Sequence, residues 1–414
     1  MFSKLALRSL LDRKGSVVLS LLAMTVSIFV LLGVEHIRNQ AKESFSNTVS
    51  GVDLIVGART GSLNLLLYSV FRIGTPTNNI SWQSYQTISS NPKVKWSIPI
   101  SLGDSHKGFR VLGTTQDYFT HFSYGKKHRL KFDQGVVFDN VFDVVLGSEV
   151  AKKLRYQLGD KLVLSHGIAE TSFSLHDDRP FRVAGILSPT GTPVDQTLHV
   201  SLEGIEAIHI DWQQGVKKAN STITQSQLEN ADLKPESITA FMLGLTSRVS
   251  TFKVQRDISN YKKEPLLAIL PGVALSELWQ TMGILEKTLL LVSVLVFVAA
   301  CLGVSAMLLS SIRERRQEIQ LLRAVGAPPG FLFLLIELEA LFIAISSIVL
   351  ASLLLTTCLI FSQDYLVSHF GLHIKTNIFS QSSLYLIAAM LVASMLVAVI
   401  PSLSMYLQSK GKSE

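Results

Sequence analysis

Residues 288–312 read TLLLVSVLVFVAACLGVSAMLLSSI, a run of 25 positions without a charged side chain. A helix needs about 20 apolar residues to cross the hydrocarbon core of a bilayer, so this run predicts a transmembrane helix. Three further uncharged runs of similar length lie at 16–34, at 340–363 and within 377–409. The sequence therefore predicts an α-helical membrane protein with four transmembrane helices.

The composition of the 414-residue chain agrees with that class. Mean hydropathy is +0.35 and only 17% of residues are charged, which is too apolar for an ordinary soluble protein. The net charge of +7 does not indicate nucleic-acid binding, because many basic residues flank the apolar runs and no basic stretch is interleaved with aromatic residues. Both cysteines, Cys301 and Cys358, lie in apolar runs, so no disulfide is expected in the rest of the chain.

The basic residues predict the orientation of the spans. Clusters of Lys and Arg precede the first span, follow the second and follow the fourth, and all three can lie on the cytoplasmic side. This places both termini in the cytoplasm, and it places a large domain and a short hairpin outside the cell membrane. No small-x-small cleavage site follows the first span, so we expect an uncleaved anchor.

These observations divide the chain into nine segments. They are a cytoplasmic amphipathic segment (1–14), transmembrane helix 1 (15–36), an extracytoplasmic domain with stalk helices (37–284), transmembrane helix 2 (285–312), a cytoplasmic loop (313–330), transmembrane helix 3 (331–362), an extracytoplasmic hairpin (363–382), transmembrane helix 4 (383–407) and a cytoplasmic tail (408–414).

The large extracytoplasmic domain between helices 1 and 2 is predicted to be α+β. Short β-rich runs such as 94–102, 181–186 and 239–245 alternate with helical stretches at 148–155 and 202–209. Polar, helix-compatible residues at 37–50 and an amphipathic stretch at 274–287 predict stalk helices that continue the first two spans outward. The alternative is an ordinary loop and a core helix.

The segment LNLLLYSVFRI at 63–73 is strongly apolar but too short to span a bilayer. We expect a buried helix of the domain. The alternative is an exposed element that contacts a lipid-like cargo or a partner; that contact would involve Leu65, Leu66, Leu67, Tyr68 and Phe71.

Several kinds of chemistry have no signature in this sequence. No G-x-x-x-x-G-K-[ST] phosphate loop is present, so this chain is not expected to bind ATP in the usual way. The ten histidines show no ligand spacing, and no G-x-S-x-G signature occurs. We therefore predict no catalytic residue, no metal site and no cofactor in this chain, and we do not expect an enzyme.

Two stretches resemble a known family. VVLGSEVAKKLRYQLGDKLVL at 144–164, followed by FRVAGIL at 181–187, resembles the periplasmic core domain of MacB-type permeases. RRQEIQLLRAVGAPPGFLFLLIELEA at 315–340 resembles the loop and third-helix start of the same superfamily, which includes the lipoprotein-releasing permeases and the cell-division permease FtsX. The order of one span before the domain and three after it extends the resemblance over roughly the whole chain.

The resemblance implies a permease dimer that works with two ATPase subunits, and it implies that the loop after the second span docks on the ATPase. The residues expected in that coupling are Arg315, Arg316, Glu318, Ile319, Leu322, Arg323 and Gly326. Two acidic residues, Glu337 and Glu339, lie at membrane depth, where charge is costly and usually paired. One of them is expected to pair with an arginine of the coupling loop or of the ATPase.

The resulting functional prediction is the permease subunit of an ABC transporter in the bacterial inner membrane. A separate ATPase is expected, because the chain starts about fifteen residues before the first span. The expected partners are that ATPase, a second permease copy or paralogue, a periplasmic adaptor or carrier, and membrane lipid. The cargo class is hydrophobic or amphiphilic: a lipoprotein, a drug or a peptide. The alternatives are a membrane-anchored scaffold without transport and an ATPase-linked regulator of a cell-wall hydrolase.

Overall fold

The computed structural model describes residues 10, 13–166, 179–210, 212–213, 216–217, 233–314, 317, 321, 324–370 and 375–410. Its contacts divide the chain into two units: a helical unit of residues 1–41, 282–365 and 374–414, and an external unit of residues 42–281 with 366–373.

The helices are α1 (Lys14–Asn47), α2 (Ser62–Leu66, continued by a π-helical turn Leu67–Phe71), α3 (Trp82–Ser89), α4 (Asp117–His121), α5 (Ser148–Leu154), α6 (Leu202–His209), α7 (Thr251–Ser259), α8 (Pro271–Glu314), α9 (Pro329–Phe370) and α10 (Gln381–Lys410).

Four helices have the length and apolar character to cross a membrane, within Lys14–Phe45, Pro271–Glu314, Gly330–Gln363 and Gln381–Ser404. They confirm the four predicted spans. Large apolar side chains such as Leu19, Leu291 and Leu353 remain exposed on these helices. Exposed apolar surface of this kind is what a lipid-facing helix presents.

Small polar side chains connect the spans inside the helical unit. Ser347 Oγ on α9 donates to the Leu21 carbonyl on α1 at 3.3 Å. Pro401 interrupts α10 and has no N–H to donate to the carbonyl of Val397, four residues earlier. Ser305 Oγ on α8 donates to that carbonyl at 3.1 Å, so a neighbouring helix satisfies the acceptor that the proline leaves free.

The external unit is built on one sheet of eleven strands. Its strands run in the order β17-β1-β16-β3-β4-β12-β8-β11-β7, with β10 added to β3 and β9 added to β11. The strand bounds are β1 Leu54–Ala58, β2 Ile80–Ser81, β3 Val94–His106, β4 Phe109–Thr114, β5 Ser123–Tyr124, β6 His128–Arg129, β7 Phe132–Gly135, β8 Asp143–Leu146, β9 Lys161–Leu162, β10 Ser165–His166, β11 Phe181–Leu187, β12 Thr197–Ser201, β13 Trp212–Gln213, β14 Val216–Lys217, β15 Ser237–Ile238, β16 Ala240–Leu245 and β17 Leu266–Ile269.

Burial in the strands explains their hydrophobic sequences. Strands β1, β8, β12 and β16 are buried at every position. Burial on both faces is why β1 and β16 read as continuous apolar runs instead of alternating ones. The α+β prediction for the external domain is confirmed. The sheet places both stalk regions at one edge, because β1 follows α1 and β17, which pairs with β1, leads directly into α8.

Candidate functional site

The link between the second and third spans is the first candidate site. The coupling residues Arg315, Arg316, Glu318, Ile319, Leu322 and Arg323 lie outside the described residues, so their role stays a prediction. Gly326 is described and has a φ of +99°. This left-handed backbone follows the helical residue Ala324, and α9 begins at Pro329.

Two exposed apolar side chains mark the end of this link. Leu321 is 66% exposed and Val325 is 88% exposed. The Val325 N–H donates to the Leu321 carbonyl at 3.1 Å, a helical bond over four residues, so the two side chains lie on one face. Leu321 was not among the predicted coupling residues, although its spacing of four residues from Val325 is visible in the sequence.

The two acidic residues of the third span lie buried in the helical unit. Glu337 is 7% exposed and Glu339 is 4% exposed. The Glu337 carboxyl group interacts with the Ser402 hydroxyl on α10, while its Oε1 has no hydrogen-bond partner among the described residues. Glu339 also makes polar interactions. The expectation that one of them pairs with an arginine of the link or of an ATPase stays a prediction.

A groove of about 600 Å³ runs between the first two spans of the helical unit. Small side chains line both walls: Ser16, Ser20, Ala23 and Ser27 on α1, and Ala299, Ala300 and Gly303 on α8. At one end Arg13 donates from Nη2 to the Ser311 carbonyl at 2.9 Å and lies 3.9 Å from the Glu314 carboxylate. Such small residues let another helix or an acyl chain approach closely.

An aromatic junction joins both stalk regions to the external unit. The ring of Phe45, near the end of α1, lies 4.6 Å from that of Phe71 and 5.8 Å from that of Trp279 on α8. Ser62 Oγ donates to Glu277 Oε2 on α8 at 2.5 Å. The segment 62–71 is therefore the element of the domain on which both stalks pack.

The apolar segment 62–71 packs into the core of the external unit. Leu65, Leu66, Tyr68 and Phe71 are buried, and Leu67 packs partly buried against the same core. Contact of these five residues with a cargo or a partner stays a prediction. Their hydrophobicity serves the core, as the buried-helix interpretation predicts.

A buried polar cluster lies behind this segment. The rings of Tyr118 and His199 are 5.2 Å apart, and His199 Nδ1 lies 3.3 Å from the Val145 carbonyl. Burial, assisted by the positive charge of Arg72, lowers the pKa of His199 from 6.5 to about 3. Burial alone raises the pKa of Tyr68 to about 12. These groups stay neutral at physiological pH, and sequence inspection does not single them out.

Metal-binding clusters were not expected, and among the described residues no group of three or more His, Cys, Asp and Glu is placed to hold a metal ion.

Comparison with known proteins places these features in a family. Residues 17–261 match the MacB-like periplasmic core domain, and residues 290–409 match the FtsX-like permease C-terminal domain. Among solved structures, the periplasmic region of MacB from Actinobacillus actinomycetemcomitans is similar at 14% identity and a TM-score of 0.34, covering 57% of this chain and 94% of that one. The extracellular domain of the noncanonic ABC-type transporter YknZ from Gram-positive bacteria is similar at 12% identity and a TM-score of 0.29, covering 53% and 98%. The comparison with curated proteins gave no match.

Proposed function

Because this chain belongs to the FtsX-like permeases with a MacB-like periplasmic core domain, which are non-catalytic transmembrane components of ABC transporters, we propose that it couples a partner ATPase to movement of its external domain. In this proposal the chain lies in the bacterial inner membrane with both termini in the cytoplasm. ATP binds to the partner, and the cargo is a hydrophobic or amphiphilic molecule such as a lipoprotein, a drug or a peptide.

The exposed link strip, Leu321 and Val325, is the observation that carries the ATPase contact. Two large apolar side chains on one helical face, exposed at 66% and 88%, indicate a surface that another protein covers. The neighbouring sequence supplies Arg315, Arg316, Glu318 and Arg323 as charged edges. An apolar centre with a charged rim is the usual composition of a protein interface.

The aromatic junction supports the transmission step. Helix α1 is continuous from Lys14 to Asn47, and helix α8 is continuous from Pro271 to Glu314. A helix transmits displacement along its axis because its backbone hydrogen bonds resist extension. Phe45 packs against both Phe71 and Trp279, so a shift of either stalk acts on the core of the external unit.

The small-residue groove supports association of spans from two permease copies. The proposal places a helix of a second copy or a paralogue against α1 and α8, where Ala299 and Gly303 leave room for close backbone approach. A periplasmic adaptor or carrier is a further partner in this scheme.

The decisive experiment compares purified complexes of the full chain and of a Leu321→Glu/Val325→Glu variant. The intact chain is expected to retain a stoichiometric ATPase subunit in mild detergent, and the variant is expected to lose at least 90% of it. Leu158→Glu serves as the matched control, because Leu158 is an exposed apolar residue of the external unit. If the intact chain purifies without an ATPase, it is a scaffold and the proposal fails; equal retention by the variant refutes the link contact.

A second experiment addresses the acidic pair. Glu339→Gln is expected to lower ATPase activity that depends on cargo, since it replaces a buried carboxyl group at the inner end of α9. Glu337→Gln is the matched comparison, because Glu337 is a second buried acidic residue two positions away on the same helix. Unchanged coupling in Glu339→Gln contradicts the proposed role of that residue.

A further inference from the structure

The external unit carries an apolar-basic patch formed by Arg248, Val249, Phe252, Lys253 and Arg256. Val249 is 89% exposed and Phe252 is 69% exposed, the two highest values for large apolar side chains among the described residues of the unit. A side chain of this size that stays in water forgoes the free energy of burial. Val249 and Phe252 are therefore candidates for contact with another molecule.

The local helix shows that the fold does not need these side chains. Helix α7 buries Thr251, Val254 and Ile258 on its inner face, and Phe252 and Arg256 lie on the opposite face at a spacing of four residues. The preceding 3₁₀ turn is secured by Ser247 Oγ, which accepts from the Val249 N–H at 3.3 Å. Capping and core contacts thus come from other residues.

The patch lies at the end of the sheet where strand β1 begins and strand β17 ends, which is where both stalk regions leave the unit. The Leu245 N–H at the end of β16 donates to Asp53 just before β1, at 2.7 Å. The next residue, Thr246, donates from its N–H to the Lys93 carbonyl at 2.9 Å. Residues 248–252 follow directly, so the patch sits beside the chain segments that join α1 to β1 and β17 to α8.

The charges of the patch are unbalanced. Residues 246–259 contain three basic residues and one acidic residue, Asp257. None of the ion pairs found among the described residues involves Arg248, Lys253 or Arg256. A partner that covers the patch must therefore supply negative charge around an apolar centre.

We propose that the apolar-basic patch binds an acidic amphipathic segment of another protein outside the membrane. Aromatic side chains and arginine are the residues enriched at the energetic centres of protein interfaces, and Phe252 with Arg248 and Arg256 matches that composition. A lipid surface is the weaker fit, because basic clusters that recognise anionic lipid contain about four to eight Lys and Arg. The inference concerns a different surface from the ATPase link and does not depend on coupling.

The test places a photoreactive phenylalanine analogue at position 252 of the full chain in its native membrane. Illumination is expected to yield one protein adduct whose cross-linked segment carries Asp or Glu beside apolar residues. The same analogue at Val136, which is 66% exposed on another edge of the sheet, is the matched control and is expected not to give this adduct.

Charge reversal completes the test. Arg248→Glu combined with Lys253→Glu is expected to reduce the adduct at least fivefold, whereas Lys152→Glu on α5 leaves it unchanged. Adducts to phospholipid, an adduct equal to that from position 136, or an adduct insensitive to charge reversal overturns the proposal. Retention of the intact chain's urea midpoint in the charge-reversed variant shows that lost binding is not lost folding.

Discussion

Substitution of the buried His199 tests how the external domain responds to acid. This imidazole is fully buried, and burial with the nearby charge of Arg72 lowers its pKa from 6.5 to about 3. The unfolded chain therefore binds a proton at a pH where the folded chain does not. Stability that is fully present above pH 6.5 is lost progressively as the pH falls toward 3.

The size of the effect follows from these two pKa values. At pH 7.5 neither state holds the proton and the histidine contributes almost nothing to the pH dependence. At pH 5 the unfolded side chain is almost fully protonated and the folded one is neutral, which costs about 2 kcal/mol of unfolding free energy. His199→Gln removes the titration, so the variant is expected to lose about 2 kcal/mol less than the intact chain between pH 7.5 and pH 5.

Intrinsic fluorescence reports this unfolding selectively. The four tryptophans, at positions 82, 96, 212 and 279, all belong to the external unit. Urea unfolding of the full chain in detergent, followed by tryptophan emission at both pH values, gives the two free energies for each protein. His128→Gln, at an exposed position on β6, is the matched control. Equal losses for the intact chain and His199→Gln would refute the assigned cause.

Three further substitutions test the packing. Gly147→Ala is expected to destabilise the external unit by more than about 2 kcal/mol, because an added Cβ would lie 2.3 and 2.4 Å from two backbone carbonyl oxygens. Gly103→Ala is the control in the same urea assay, because a Cβ added at that position has no atom within 4 Å. Leu65→Ala is expected to cost about 2–5 kcal/mol, since this side chain is fully buried; a cost below about 1 kcal/mol would mean that the segment is not part of the core. Ser305→Ala is expected to lower the thermal survival of the helical unit in detergent, measured by size exclusion after heating, because it removes the hydrogen bond to the Val397 carbonyl that Pro401 leaves free. Adding Pro401→Ala to this variant restores a backbone N–H donor for that carbonyl and is expected to recover the thermal survival. No recovery in the double variant would contradict this account.

The spans and much of the sheet were predictable from the sequence because their signals are local. An uncharged run such as 288–312 can satisfy its backbone in lipid only as a helix, and the apolar run at 240–245 forms the buried strand β16. The family could also be recognised, since the motif at 144–164 and the link after the second span follow each other along the chain in the same order as in that family. Short elements such as α4 and the exposed strand β7 were missed, because each is too short to show a periodic pattern of apolar residues.

The sequence by itself determined that this chain spans a membrane four times, that a mixed domain lies between the first two spans, and that it belongs with permeases. The tertiary structure decided which apolar residues serve the core and which remain free. Tyr68 and Phe252 are both aromatic residues of short helical segments, yet Tyr68 is 1% exposed and Phe252 is 69% exposed. Burial is set by contacts between distant segments, such as Phe45, Phe71 and Trp279 at the stalk junction. Local spacing carries no information about those contacts, so only the folded chain shows them.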